Sequence, residues 1–314
     1  MSNSPETPDI RFDGRVAIVT GAGTGLGRSH AMALAARGAL VVVNDLGGGP
    51  DAPESAVEQV ATEIRALGGQ ALSHGANVTD ADQVQDMVNV ALEKWGRIDI
   101  LVNNAGILRD KSFSKMTLDE FRQVLDVHVF GSVVCTKMVW DHMKKAGYGR
   151  IVMTSSSSGI YGNFGQTNYG TAKMGLIGFM NVLHLEGQKY GVHVNSLAPT
   201  AATQMTEGLL SEASLSLMST ESVSAGLLYL VSEQAPSRLI LCAGAGGYAA
   251  SKIYETEGVY LTPDQQTPEQ VAAHVEAITD PADQAPFEQG FEQTMKFVSK
   301  AAEHAGIDLK GSLV

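Results

Sequence analysis

The sequence predicts an α/β fold in which a doubly wound parallel sheet forms the middle of three layers and a helical extension follows it. Short apolar runs alternate along the chain with stretches of helical periodicity. The runs are apolar throughout, as in strands that helices cover on both faces. The chain has 314 residues, 44% of them hydrophobic, which suits one large domain with an appendage.

Seven strands are expected, each an apolar run bounded by turn-forming residues. They lie near residues 16–20, 40–44, 70–75, 98–103, 150–154, 192–197 and 239–242. Helices are expected between them, for example over residues 26–37, 52–67 and 81–95. After residue 248 the alternation stops, and TPEQVAAHVEAI and PFEQGFEQTMKFVSKAAEHAG predict two helices. We therefore expect a flexible N-terminus over 1–11, a main domain over 12–250 and a helical extension over 251–314.

Charge, cysteine content and hydropathy disfavour several classes of function. The net charge of −12 argues against nucleic acid and anionic membranes as partners. The two cysteines, Cys135 and Cys242, predict core thiols in a reducing compartment, not a disulfide framework. No basic segment precedes an apolar one at the start, and no apolar run is long enough to span a membrane, so the cytoplasm is the expected location. The eight histidines show no HxxxH or HExxH spacing, so no metal site is expected.

A glycine-rich turn follows the first expected strand, in VAIVTGAGTGLGRSHAMALAARG. Gly21, Gly25 and Gly27 fit a TGxxxGxG spacing and not GxGxxG, and Thr24 and Leu26 belong to the same turn. Between a strand and a helix, free N–H groups and the positive end of the helix dipole can hold a pyrophosphate. The turn therefore predicts dinucleotide binding, although taken alone it is also compatible with a simple glycine-tolerant connection.

Asp45 ends the second expected strand, in VVVNDLGGG. A carboxylate at this point accepts hydrogen bonds from the adenosine ribose hydroxyls and repels a 2′-phosphate. The sequence therefore favours NAD over NADP, although Arg28 is close in sequence. The alternative is a turn-forming aspartate before three glycines.

The segment TSSSSGIYGNFGQTNYGTAK, residues 154–173, concentrates hydroxyl groups after an apolar run. If a helix begins near Thr167 or Asn168, either of which is a good N-cap, Tyr169 and Lys173 share one face, whereas Tyr161 has a glycine at the equivalent spacing. The serines follow the carboxyl end of an expected strand, where open α/β sheets bind ligands. A serine, a tyrosine and a lysine could therefore converge at one crevice. The alternative is a hydroxyl-rich loop before an ordinary amphipathic helix.

These motifs together resemble the short-chain dehydrogenase/reductase family. The resemblance covers about residues 12–250 and rests on TGAGTGLG, on NNAG at 103–106, and on a serine thirteen residues before the tyrosine of Y-x-x-x-K. It implies a Rossmann-type fold and points to Ser156 as the serine of the site. The other serines of the run are then loop hydroxyls: Ser155, Ser157 and Ser158.

The family chemistry assigns a role to each of these side chains. Hydride transfer between an alcohol and a nicotinamide requires a proton to leave the hydroxyl, and Tyr169 is the expected acid/base. Lys173 is expected to lower the pKa of Tyr169 and to bind the nicotinamide ribose. Ser156 is expected to stabilise the substrate oxygen. Tyr161 and Met205, the latter in an apolar lid, are expected to line the substrate pocket.

The resemblance also assigns cofactor contacts, with some departures from the family pattern. Asn77 stands where the family has an aspartate beside adenine, His128 where it often has asparagine, and Thr200 where a glycine follows the proline. His128 is expected to support a water chain that relays the lysine proton, or to orient backbone. The remaining expected cofactor contacts are Val78, Asn104, Ala105, Gly106 and Pro199.

Within the family, VVVNDLGG, GRIVMTSSSSGIYGNFGQTNY and GILRDKSF are similar to the hydroxyacyl-CoA dehydrogenase branch. That likeness implies an NAD-dependent oxidoreductase that interconverts a secondary alcohol and a ketone, acting on a 3-hydroxyacyl-CoA or a steroid-like alcohol. It also implies a homodimer or homotetramer. Two alternatives remain: an NADPH-dependent ketoacyl reductase, against which Asp45 argues, and a non-catalytic NAD-sensing protein, which would not need the proton path of Ser156, Tyr169 and Lys173.

Overall fold

The computed structural model describes residues 9–47, 56–201 and 211–309. The strands within these ranges are β1 (Val16–Val19), β2 (Leu40–Asn44), β3 (Gln70–His74), β4 (Ile100–Asn103), β5 (Gly149–Thr154), β6 (Val192–Thr200), β7 (Ile240–Gly244) and β8 (Gly247–Ser251). They form a sheet in the order β3-β2-β1-β4-β5-β6-β7-β8. Neighbouring strands from β3 to β7 pair in parallel.

The helices are α1 (Gly25–Ala36), α2 (Ala56–Ala66), α3 (Ala81–Trp95), α4 (Leu118–Leu125), α5 (Gly131–Ala146), α6 (Ser157–Tyr161), α7 (Thr167–Gly187), α8 (Glu212–Leu215), α9 (Thr220–Leu230), α10 (Pro268–Ala273), α11 (Val275–Thr279) and α12 (Gly290–Ala305). A π-helical segment, Asp126–Phe130, joins α4 to α5. None of the helices among the described residues is long and apolar enough to cross a membrane.

Two apolar clusters cover the two faces of the sheet, which gives the three predicted layers. Successive strand residues point to opposite faces. Ala17 and Val19 therefore pack with α1, α2 and α9, whereas Val16 and Ile18 pack with α3, α5 and α7. All four side chains are fully buried, which explains why β1 is apolar throughout. The predicted doubly wound α/β fold is confirmed.

The sheet has one strand more than the seven that the sequence predicts. β8 follows β7 after Ala245 and Gly246, whose φ angles of 49° and 78° are both positive. A connection of two residues can join only antiparallel strands. The side chains of β8 are mostly exposed, so this strand lacks the apolar signal on which the sequence prediction depends.

The chain divides into two compact units, Met1–Ala250 and Ser251–Val314. The second unit contains α10, α11 and α12, and a bridge pairs Glu255 with Ala285. Its first predicted helix is in fact two short helices, because the chain leaves the helical conformation at His274. Most of the N-terminus predicted to be flexible lies outside the described residues.

Candidate active site

A cavity of about 620 Å³ lies at the carboxyl ends of β1 to β5. The strand order reverses between β1 and β4, and this switch point is where open α/β sheets bind ligands. The cavity is lined by nearly all the residues expected to contact a cofactor: Gly21, Thr24, Gly25, Leu26, Gly27, Asp45, Asn77, Val78, Asn104, Ala105, Gly106, Tyr169, Lys173 and Pro199.

Other residues that line the cavity were not expected from the sequence, and most are chain neighbours of the expected ones: Asn44, Leu46, Gly47, Ala76, Ile107, Val127 and Thr154. Several of them belong to the quoted motifs, but none was assigned a cofactor contact from the sequence. Thr200 ends β6 and is not among the described residues that line the cavity.

The glycine-rich turn presents the start of α1 to the cavity. Thr24 is the N-cap, with an extended backbone and no capping bond from its own side chain. The Arg28 amide donates to the Thr24 carbonyl over 3.1 Å and makes the first turn of the helix. The N–H groups of Gly25, Leu26 and Gly27 come before this first helical hydrogen bond and have no acceptor within the helix. They can therefore donate to an anion.

Close packing explains the glycines of this turn. A Cβ at Gly27 would lie 2.1 Å from the Gly21 carbonyl oxygen, and one at Gly21 would lie 2.8 Å from the Ala105 Cα. Gly21 also has a φ of +62°. The side-chain Nδ2 of Asn104 donates to the Thr20 and Gly21 carbonyls over 2.9 and 3.0 Å. The turn is thus held tightly against the end of β4, and its shape fits a dinucleotide diphosphate.

Asp45 is held by main-chain donors. Its two carboxylate oxygens accept from the Gly23 and Gly47 amides, each over 3.1 Å. Arg28, in the first turn of α1, is instead paired with Glu63 of α2. The carboxylate therefore remains fixed at the cavity wall, as a group that binds ribose hydroxyls must be.

The Asn77 side chain has its orientation set by Thr79. Its amide oxygen accepts from the Thr79 amide over 3.1 Å and from the Thr79 hydroxyl over 2.9 Å. The amide nitrogen of Asn77 is therefore the group left for a ligand. An aspartate would offer an acceptor there, so the departure from the family pattern exchanges an acceptor for a donor.

Tyr169 and Lys173 lie on one face of α7, which begins at Thr167 as the sequence predicts. The Lys173 Nζ is 5.4 Å from the centroid of the Tyr169 ring. Lys173 is 3% exposed, and its Nζ donates to the Thr154 carbonyl over 2.5 Å. The structure thus brings this pair together at the end of β5.

Burial has the largest effect on the pKa values of Tyr169 and Lys173. Burial raises the pKa of Tyr169, while the hydrogen bond with Ser156 lowers it and the charge of Asp110 raises it. Burial also lowers the pKa of Lys173 to about 7. Burial is thus the largest influence on the phenol, and the expectation that Lys173 lowers the pKa of Tyr169 stays a prediction.

The four serines take different environments. Ser156 caps α6, accepting from the Ser158 amide over 3.2 Å, and its hydroxyl reaches Tyr169. The prediction that the others are loop hydroxyls is wrong, because Ser157 and Ser158 belong to α6 and Ser155 is buried. The Ser155 hydroxyl donates to the Lys173 carbonyl over 2.8 Å.

His128 lies in the π-helical segment and is 2% exposed. Its Nε2 is 2.9 Å from the Ile107 carbonyl oxygen and 3.1 Å from the Ile107 nitrogen. Its ring meets Tyr169 edge to face, with 5.3 Å between the centroids. Burial, followed by the charge of Lys173, lowers its pKa to about 3, so the ring is neutral at physiological pH. These contacts fit an orienting role.

The expectation that Tyr161 and Met205 line the substrate pocket stays a prediction. Tyr161 is 73% exposed and is not among the described residues that line the cavity. Met205 lies outside the described residues.

Known proteins share this fold and these motifs. A model of the short chain dehydrogenase family matches residues 15–213. Peroxisomal multifunctional enzyme type 2 of Mus musculus is 46% identical over 277 residues, which cover 86% of this chain and 37% of that protein. The structure of the full-length enzyme of the same name from Drosophila melanogaster has a TM-score of 0.79 and 35% identity, covering 94% of this chain and 50% of that one.

A third relative is a solved 7 alpha-hydroxysteroid dehydrogenase complexed with NADH and 7-oxo glycochenodeoxycholic acid. Its TM-score is 0.68 at 29% identity, covering 76% of this chain and 95% of that one. The motifs of the hydroxyacyl-CoA dehydrogenase branch also indicate a likeness to the dehydrogenase unit of peroxisomal multifunctional enzyme type 2, and this likeness is confirmed, although this chain spans half or less of those two proteins. The cytoplasmic location stays a prediction, since these relatives are named peroxisomal. The chain belongs to the short-chain dehydrogenase family.

Proposed function

We propose that this protein is an NAD-dependent oxidoreductase that interconverts a secondary alcohol and a ketone. The observation that carries the proposal is the layout of one cavity. Tyr169 and Lys173 line one end, the glycine turn lines the middle, and Asp45 lines the region at the end of β2. A sensor of NAD would need the turn and the carboxylate, but it would not need a phenol and an amine beside the reacting ring.

The residues present fit a nicotinamide dinucleotide. The free N–H groups at the start of α1 suit the diphosphate, and Asp45 suits the adenosine ribose. β3 lies beyond β2 in the sheet, so Asn77 and Val78 suit the adenine base. Lys173 and Tyr169, beside β5, suit the nicotinamide riboside. The bound dinucleotide would supply the acceptor or donor of the hydride.

The side chains of the chain itself handle the proton. Ser156 and Tyr169 both offer hydroxyls, so they can hold one substrate oxygen between them. Because burial raises the pKa of Tyr169, the phenol keeps its proton and is ready to donate it to a ketone oxygen. In the direction of alcohol oxidation, a protonated Lys173 favours the phenolate that accepts the proton.

Asp45 supports NAD as the cofactor over NADP. The carboxylate is fixed by two main-chain donors and has no described cationic partner that would neutralise a 2′-phosphate. Comparison of the dissociation constants of NAD and NADP tests this choice. Tighter binding of NADP would contradict it and would favour the ketoacyl reductase alternative.

A hydrophobic substrate, a 3-hydroxyacyl-CoA or a steroid-like alcohol, is supported by apolar side chains next to the site. Phe113 is 71% exposed and Phe164 is 95% exposed. Their segments are joined by hydrogen bonds from the Lys111 amide to the Gly165 carbonyl and from the Asn168 side chain to the Arg109 carbonyl. One structural relative is a 7 alpha-hydroxysteroid dehydrogenase, which agrees with the steroid-like class.

A homodimer or homotetramer is supported by the outer face of α7. Met174, Val182 and Leu185 are 40%, 55% and 43% exposed on that face, beside Gly175 and Gly178. Small residues between exposed apolar ones allow another helix to approach closely. An apolar face of this kind is typical of a subunit interface.

The experiment that tests the function is an absorbance assay at about 340 nm, the band of the reduced nicotinamide. It compares hydroxyacyl-CoAs, hydroxysteroids and small alcohols in the presence of NAD. Tyr169→Phe should lower kcat by about 100-fold or more, because it removes the proton donor and acceptor. Tyr190→Phe is the matched control and should keep wild-type turnover, because Tyr190 is not among the described residues that line the cavity. Turnover retained by Tyr169→Phe would refute the assigned acid/base.

A further inference from the structure

Ser155 joins three elements of the site. It lies between Thr154, the last residue of β5, and Ser156, and it is 1% exposed. Its amide donates to the Leu197 carbonyl of β6 over 2.7 Å. Its hydroxyl donates to the Lys173 carbonyl of α7 over 2.8 Å. A buried hydroxyl must find a partner, and here the partner is the main chain of the lysine itself.

Lys173 is held at both of its ends by neighbouring residues. Ser155 binds its main-chain oxygen, and the Thr154 carbonyl accepts from its Nζ over 2.5 Å. Tyr169 is one helical turn earlier on the same rigid helix. A shift of Lys173 along or away from β5 would therefore carry Tyr169 with it.

α6 packs so closely against α7 that neither helix has room to shift towards the other. A Cβ at Gly159 would lie 2.7 Å from the Lys173 Cβ and 2.9 Å from its carbonyl carbon. A Cβ at Gly170 would lie 3.0 Å from the Ser158 carbonyl oxygen. The two helices thus touch through glycines on both sides of the Ser155 hydrogen bond. The hydrogen bond between Ser155 and Lys173 depends on direction, whereas the contacts at the two glycines depend only on close fit.

We propose that Ser155 is a positioning residue that sets the placement of Ser156 relative to Tyr169 and Lys173. Ser155 is joined through its peptide bond to Ser156, and its hydroxyl group donates to the main chain of Lys173. One residue therefore connects the group that holds the substrate oxygen to the pair that moves the proton. This inference rests on the proposed function, because the placement matters only if these groups act together.

The test compares Ser155→Ala with Ser157→Ala, which changes an exposed serine of the same run. Ser155→Ala should lower kcat by about 10- to 100-fold, since small misplacements of reacting groups have effects of that size. Ser155→Cys keeps a similar volume and a weak donor, and should recover part of the loss. Ser157→Ala should stay within about twofold of wild type. The dissociation constant of NAD, followed by protein fluorescence, should be the same in all four proteins.

The pH profile separates positioning from a merely structural role. The ionisable groups that act on the phenol or lie against it are Lys173 on α7, His128 on the π-helical segment, and Asp110. In Ser155→Ala the acid limb of the profile for alcohol oxidation should move to higher pH, because the lysine is no longer held beside the phenol. A structural defect would lower the melting temperature and leave the shape of the profile unchanged.

Two results would overturn the inference: wild-type kcat in Ser155→Ala, or a loss of kcat with an unshifted pH profile. An active wild-type enzyme with either result leaves the proposed function intact and removes only the role of Ser155. A wild-type protein that turns over none of the alcohols removes the proposed function, and the inference with it.

Discussion

Gly106→Ala should destabilise the protein, because the new methyl group would meet the ring of His128. The Cβ would lie 2.2 Å from the His128 Cε1, 2.9 Å from Nδ1 and 3.0 Å from Nε2. Carbon atoms in contact prefer about 3.5–4.0 Å. The ring would therefore have to retreat by roughly 1 Å or more to reach that separation.

His128 has little room to retreat, so the strain falls on the fold. Its Nε2 is bound to the Ile107 main chain, and its ring lies against Tyr169. Overpacking of a closed site lowers the free energy of unfolding by about 1–3 kcal/mol. In a unit of this size each kcal/mol lowers the melting temperature by about 2–4 °C.

Urea unfolding of Gly106→Ala, His128→Ala and the double variant measures the contact directly. The double variant should be more stable than the sum of the single effects predicts, by about 1 kcal/mol or more, since removal of the ring makes room for the methyl group. Gly75→Ala is the control, because a Cβ there meets nothing within 4 Å and its φ is not positive, so stability should be kept or rise slightly. Strict additivity, or a Gly106→Ala protein as stable as wild type, would refute the steric argument.

Two further predictions concern α7. Lys173→Met should be more stable than wild type below pH 7, and this difference should shrink as the pH rises towards 10.5. The folded lysine has a pKa of about 7, against its ordinary value of 10.5, so between these pH values only the unfolded chain keeps the proton and wild-type stability rises with pH. A pH-independent difference in urea unfolding would contradict this. Val182→Glu should halve the mass measured by light scattering, because a charge on the exposed apolar face of α7 disrupts subunit contact, whereas Glu186→Gln should leave the mass unchanged.

The order of strands and helices could be predicted because most of the buried strands contain a run of apolar residues, which in β1 covers the whole strand. β8 was missed for the opposite reason, since its exposed side chains carry no apolar pattern. Most of the residues expected to contact a cofactor do line the cavity, because glycines at a tight turn and a carboxylate at a strand end are local features that the sequence shows. Of these, Thr200 does not line the cavity, since only the path of the chain after Pro199 decides where it lies.

The sequence by itself determined the doubly wound α/β architecture, the glycine turn, and the pairing of Tyr169 with Lys173 one helical turn away. These depend on periodicity and on contacts within a few residues. Tertiary structure alone decided the charge of Lys173, whose pKa burial lowers to about 7, and the place of Ser155, whose hydroxyl meets a helix from elsewhere in the chain. Desolvation and long-range hydrogen bonds depend on what surrounds a side chain in space, and that information appears only when the chain has folded.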